Sequence, residues 1–236
     1  PSSDDGERSG LEIDSKGPNS NEDNSASSFY FQLPSRDLRQ TVLCELLADV
    51  VEQPFYDSLR TKQQLGYIVY AGCRIKEGIP TLLFVVQSSL LGGKALSERI
   101  ADFLYSPDPG NLPSLLESLS ESDFAAYKEG LKSKKMEPDQ RLTSQAGRFW
   151  AEIGLQRPGE EPLFNRDDKE VETLKTISKA DFTSFAKELL DGQQTRLLVS
   201  EVTSGKAKTS DTDKKRPLNL QKVEDTFGLA RGLPRL

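Results

Sequence analysis

The chain has 236 residues, 35 % of them hydrophobic, and a net charge of −6; this length suits one large domain or two small ones, and the lean apolar fraction points to ends with little to bury. It contains no histidine, which excludes histidine-based zinc sites, histidine general bases and serine–histidine–aspartate triads. No segment gathers lysine and arginine with aromatics, so no nucleic-acid partner is expected, and no apolar run reaches the roughly 18 residues of a membrane span.

Residues 1–24 carry seven acids against two bases and almost nothing to bury, so they read as an acidic linker without packed structure. "SSFYFQL" (27–33) has the aromatic and polar alternation of a strand, closed by Pro34, with Ser35 as the expected cap of the next helix. In that helix Leu38, Val42, Leu43, Leu46, Leu47, Val50 and Val51 recur at steps of 3, 4 and 1, which defines a broad apolar stripe. Pro54 removes a backbone donor, so the helix is expected to kink or restart there, and a short helical turn then carries Phe55, Leu59 and Arg60 up to Gly66. "GYIVYAGCRI" (66–75) and "TLLFVVQS" (81–88) are rich in β-branched and aromatic residues and read as a hairpin around "KEGIP".

Helices follow: one over about 94–105, one opened by a Ser120/Asp123 capping box, and one burying Leu142, Ala146, Phe149, Trp150 and Ile153. A short helix over about 167–175 precedes a last one, capped by Ser178 and Asp181, that stops at Gly192. "TRLLVSEV" (195–202) returns as a strand, and residues 204–236 form a basic polar tail with no packed structure assigned. Together these elements predict an α+β domain over 25–203, an antiparallel or mixed sheet with helices packed on one face.

Cys44 and Cys73 are too few for a disulfide framework and not spaced as metal ligands, so both are expected as reduced thiols in an intracellular protein. The opening at Pro1, with no signal-peptide pattern, reads as a fragment of something longer. The expected location is cytoplasmic; the alternative is peroxisomal, because the final "PRL" resembles a variant of the carboxy-terminal peroxisomal signal.

"SLRTKQQLGYIVYAG" (58–72), "RFWAEI" (148–153) and "DKEVETLKTISKADFTSFAKELL" (168–190) resemble the last of the four homologous domains of insulin-degrading enzyme and its relatives, the pitrilysin-type zinc metallopeptidases. "GLARGLP" (228–234) is a weaker echo. The resemblance implies half of a two-part chamber. In the family, zinc sits in the first domain on an H-x-x-E-H motif and a distant glutamate, and the other half contributes an arginine and a tyrosine to the bound peptide. Those two match Arg60 and Tyr67. This chain lacks H-x-x-E-H, so the implied zinc belongs to the full-length protein, and the fragment alone is expected to be inactive. The implied partners are the N-terminal half of the same polypeptide and peptide substrates, with a homodimer as a further option.

Each site residue also has a plainer reading. Arg60 near a helix end can satisfy the last carbonyls and the dipole, and Tyr67 can pack its ring on the core. Gln63 and Gln64 are left out of the site; Glu160 and Glu161 read as solvated, Glu152 as an acid with no visible partner, and Trp150 as core. A non-catalytic structural subunit and an interaction module sharing the fold remain the alternative functions.

Overall fold

A computed structural model describes residues 10–155, 161–192 and 195–206. In chain order these form β1 (Gly10–Lys16), β2 (Ser25–Gln32), α1 (Leu38–Tyr56) continued by a π-helical turn (Asp57–Lys62), β3 (Ile68–Lys76) and β4 (Ile79–Ser88). Then come α2 (Gly93–Tyr105), α3 (Leu112–Ser118), α4 (Glu121–Lys135), α5 (Leu142–Leu155), α6 (Arg166–Thr176), α7 (Lys179–Leu190) and β5 (Arg196–Thr203). The strands form one mixed sheet in the order β1-β5-β2-β4-β3. Among the described residues only the β1–β5 pair is parallel; β2 runs antiparallel to both β5 and β4, and β3 to β4.

The alternation of strand side chains sets the layers. Phe29 and Phe31 of β2, Leu82, Phe84 and Val86 of β4, Val69 and Ala71 of β3, and Leu197 and Val199 of β5 are all buried in one core with α1, α2 and α7. Intervening positions such as Ala26, Ser28, Tyr30 and Gln32 are half-buried on the other face. The α1 stripe is buried as its spacing predicts, from Val42 to Val51. At its end Phe55 packs edge-on against Phe84 and Phe103, each ring centroid 5.1 Å away. These contacts hold the helix on course through Pro54, and the lost donor is absorbed by the wider turn that follows, where Asp57 N–H reaches both the Gln53 and Pro54 carbonyls.

Several expectations change. Residues 10–16, read as part of an unstructured linker, form β1 on the edge of β5. Backbone pairing does this without burial, since Ile13 is 43 % exposed, so composition carries no sign of it. Asp37, not Ser35, caps α1, its carboxylate accepting from Arg39 N–H. The hairpin is tighter than "KEGIP" suggests: only Glu77 and Gly78, both at positive φ, connect β3 to β4, and Pro80 already lies within the strand. A short α3 also forms, on the helical spacing of Leu112, Leu115, Leu116 and Leu119, and is absent from the expected elements.

The largest correction is α5. Its apolar residues were expected in the core, yet Leu142 is 80 % and Trp150 73 % exposed, with Phe149 and Ile153 also exposed. The helix turns its polar side inward instead. Glu152 is buried and accepts two hydrogen bonds from Arg166, at 2.5 and 2.9 Å. Arg148 grips Asp139 through two nitrogens, and Arg36 donates to the Leu155 carbonyl. A charged anchor, not an apolar one, fixes which side of α5 faces the domain.

Candidate peptide-contact site

Arg60 and Tyr67 flank a segment that the structure holds firmly. Leu59 and Leu65 are buried on either side of it, and Leu65 N–H donates to the Leu59 carbonyl at 3.1 Å. Gln63 N–H closes the π-helical turn on Ser58 O at 3.2 Å, and Gln64 takes a positive φ of 53° to release the chain toward β3. Gly66 then passes so close to β4 that a Cβ there would lie 1.8 Å from the Gln87 carbonyl oxygen. Only glycine permits that approach. Single π turns inside helices recur at functional sites because they re-aim side chains without breaking the helix.

The two side chains themselves are left open. Tyr67 is 89 % exposed, the most exposed large apolar side chain described. Its ring therefore does not pack on the core, and the plainer reading of Tyr67 fails. Arg60 is half-buried in the last turn of the π-helical segment, where its charge suits the helix dipole, but among the described residues it makes no hydrogen bond or ion pair, so it does not satisfy the helix carbonyls. Tyr70 is 38 % exposed on the sheet face away from the helices, its phenol lying across Gly72, where any side chain would collide with it. Arg60 and Tyr67 are thus polar groups on a rigid mount with no hydrogen-bond or ion-pair partner among the described residues.

Other acids have structural tasks. Glu152, read as an acid without a partner, pairs with Arg166. Glu161 is exposed, and Glu160 lies outside the described residues. Lys135 of α4 sits between Glu45 of α1 at 2.5 Å and Glu170 of α6 at 2.6 Å. Burial raises the Glu45 carboxyl against the pull of Lys135; burial would lower Lys135, but the two carboxylates together raise it. The cysteines, far apart in sequence, meet in the fold: the hydrogen bond to Cys73 and burial push the Cys44 thiol well up. Sequence spacing carried no signal for that pairing, nor for the Lys135 network, because helix packing alone creates them.

Among the described residues no three of histidine, cysteine, aspartate and glutamate gather as a metal site. The chain's donor set does not fit a catalytic zinc ion, since it has no histidine anywhere. No helix of the described residues is long and apolar enough to cross a membrane.

Comparison with known proteins gives these features a family. Residues 46–150 match the model for "PQQ synthase PqqF-like, C-terminal lobe domain 4". Insulin-degrading enzyme of Drosophila melanogaster is 30 % identical over 202 residues, which is 85 % of this chain and 19 % of that protein. A nardilysin-like protein of Arabidopsis thaliana is 31 % identical over 72 % of this chain and 16 % of its own length. The crystal structure of pitrilysin superposes with a TM-score of 0.70 at 22 % identity, over 89 % of this chain and 21 % of that one. The chain therefore spans about a fifth of the length of such relatives. It belongs to the insulin-degrading enzyme and pitrilysin family of peptidases, as a domain of the C-terminal lobe.

Proposed function

We infer that this domain walls the substrate chamber of a zinc metalloendopeptidase and lends it Arg60 and Tyr67, the zinc being held by an N-terminal half outside this chain. The carrying observation is that a rigid segment offers two polar side chains with no internal partner, Tyr67 at 89 % exposure and Arg60 unpaired among the described residues. A guanidinium presents a planar fork of donors suited to peptide carbonyls or a carboxylate. A phenol can donate a hydrogen bond to the oxyanion that develops at a scissile carbonyl, a contact worth up to about 3–4 kcal/mol in other enzymes. In this reading Arg60 anchors the peptide backbone and Tyr67 acts on the reacting carbonyl. The outward apolar stripe of α5, including Leu142 and Trp150, is the surface assigned to the remainder of the polypeptide.

Full-length enzyme carrying Tyr67→Phe tests this, because the change removes one hydroxyl and keeps the ring. The expected outcome is a kcat lowered roughly 10-fold to 10³-fold with little change in KM and no loss of thermal stability. Arg60→Ala should raise KM as well, and Arg60→Lys should recover little, since a point charge does not replace the fork. Turnover within about a factor of two of the parent for both Tyr67→Phe and Arg60→Ala would sink the reading, being far below the effect of losing a transition-state contact.

A further inference from the structure

β3 is the last strand of the sheet, paired with β4 on one side only among the described residues. Four consecutive residues, Tyr70 to Cys73, line a cavity of about 500 Å³ on its free side. Successive side chains of a strand point to opposite faces, so four residues in a row lining one cavity means that the backbone edge itself forms its wall. That edge offers unpaired N–H and C=O groups, the template on which an extended chain adds a strand. Across the cavity stand α1 and the end of α4, and a second cavity of about 440 Å³ continues along them, sharing Asp49, Glu52 and Lys134 with the first.

Charge decides the occupant. Six carboxylates line the first cavity against three cations, and each cation is already taken by an acid of the same cavity. Lys134 lies 2.8 Å from Asp49, Lys135 2.5 Å from Glu45, and Arg148 2.8 Å from Asp139. Glu52 and Glu137 are exposed and have no ion-pair partner among the described residues. The surplus is negative, and it flanks a backbone edge that asks for a strand. The edge also begins at Ile68, directly after Tyr67, so a chain paired with it passes the exposed phenol at one end.

We propose that the free edge of β3 is a peptide-binding subsite that takes an extended segment bearing lysine or arginine, paired by backbone hydrogen bonds to residues 70–73 and held by Glu52 and Glu137. It adds to the peptide-contact reading of Arg60 and Tyr67 but stands on different residues and on binding alone, so either can fail without the other. The subsite selects basic extended segments, and its affinity falls with salt because the flanking carboxylates are exposed.

The test uses this chain and a fluorescein-labelled pentapeptide alternating lysine and valine, read by anisotropy at low salt. Two comparison peptides carry glutamate for lysine, or methyl groups on alternate backbone nitrogens. The lysine peptide should bind saturably, the glutamate peptide at least about tenfold more weakly, and the methylated peptide no better, since it cannot complete the ladder. The double variant Glu52→Lys/Glu137→Lys, altered at two exposed positions, should weaken the lysine peptide by about tenfold or more. Amide exchange should slow, when the lysine peptide is bound, at those alternate residues of 70–73 whose N–H faces the free edge and not β4. Equal binding of the lysine and glutamate peptides, full affinity for the methylated peptide, unchanged affinity in the double variant, or no slowing of those amides would each overturn the proposal. A loss of turnover in Tyr67→Phe with no peptide bound at the edge would leave the phenol reading standing and this one refuted.

Discussion

Replacing Gly66 by alanine probes whether the mount beneath Arg60 and Tyr67 is as tight as it looks. The added Cβ would stand 1.8 Å from the Gln87 carbonyl oxygen, 2.8 Å from its carbon and 3.0 Å from Ser88 Cα, where real Cβ contacts do not fall below 3.0 Å. The gap to be made up is 3.0 − 1.8 = 1.2 Å. All three atoms belong to the β4 backbone, whose Gln87 and Ser88 are held in ladders with β3 and β2, so no side chain can swing aside to absorb it. Forcing extra atoms into a packed site costs typically about 1–3 kcal/mol, which for a chain of this size lowers Tm by roughly 2–12 °C. The functional cost is separate: a misplacement of about 1 Å at a positioning group can lose on the order of 100-fold in rate, so kcat/KM of the full-length enzyme should fall by about that factor. Gly130→Ala is the matched control. It lies inside α4 with nothing within 4 Å of the new methyl, so it should stabilise the chain by about 0.5–1 kcal/mol. Urea unfolding followed by circular dichroism reads both. If Gly66→Ala costs no more than a few tenths of a kcal/mol and leaves turnover intact, the segment is not pinned against β4 and the argument from its rigidity falls.

Lys135→Met should cost about 3–5 kcal/mol, because the buried Glu170 would keep only the more distant Arg166, at 3.7 Å, and the half-buried Glu45 would lose its cation; adding Glu170→Gln should recover part of it, and a loss under about 1 kcal/mol would contradict the pairing. The raised pKa of Lys135 means that the folded state holds this proton more tightly than the unfolded one. Its contribution is therefore complete below the ordinary lysine value of 10.5 and lost as pH rises through the higher folded value; parent and Lys135→Met stabilities should converge on that alkaline limb, and parallel curves would refute the linkage. Trp150→Ser should leave unfolding stability within about 0.5 kcal/mol while lowering apolar-dye binding and self-association, since the ring is 73 % exposed; a multi-kcal loss would put Trp150 back in the core. Iodoacetamide should label one thiol of the native chain, Cys73, and both only after denaturation, because Cys44 is fully buried; rapid labelling of both would mean that α1 does not seat on β3 as described.

The α1 stripe, the β3–β4 hairpin and the α7 capping box were legible in the sequence because each is written in local steps: a 3.6-residue period, a glycine turn, a serine three residues before an aspartate. Arg60 and Tyr67 were legible only through their motif, since nothing in their spacing says that one side chain is unpaired and the other exposed. α5 shows where periodicity stops. Its apolar spacing announces a helix with one greasy side, and that much holds, but periodicity cannot say which side the domain keeps. Tertiary structure decided it through Arg166 on Glu152 and Arg148 on Asp139, pairs formed between segments that the sequence does not mark as neighbours. β1 shows the same limit for strands, being held by backbone pairing to β5 with its side chains largely in solvent. Local composition fixes what a segment can become because propensity and capping act within a few residues. Which face turns inward, which thiols meet and which strand edge stays open depend on contacts between distant residues, and those exist only once the chain has packed.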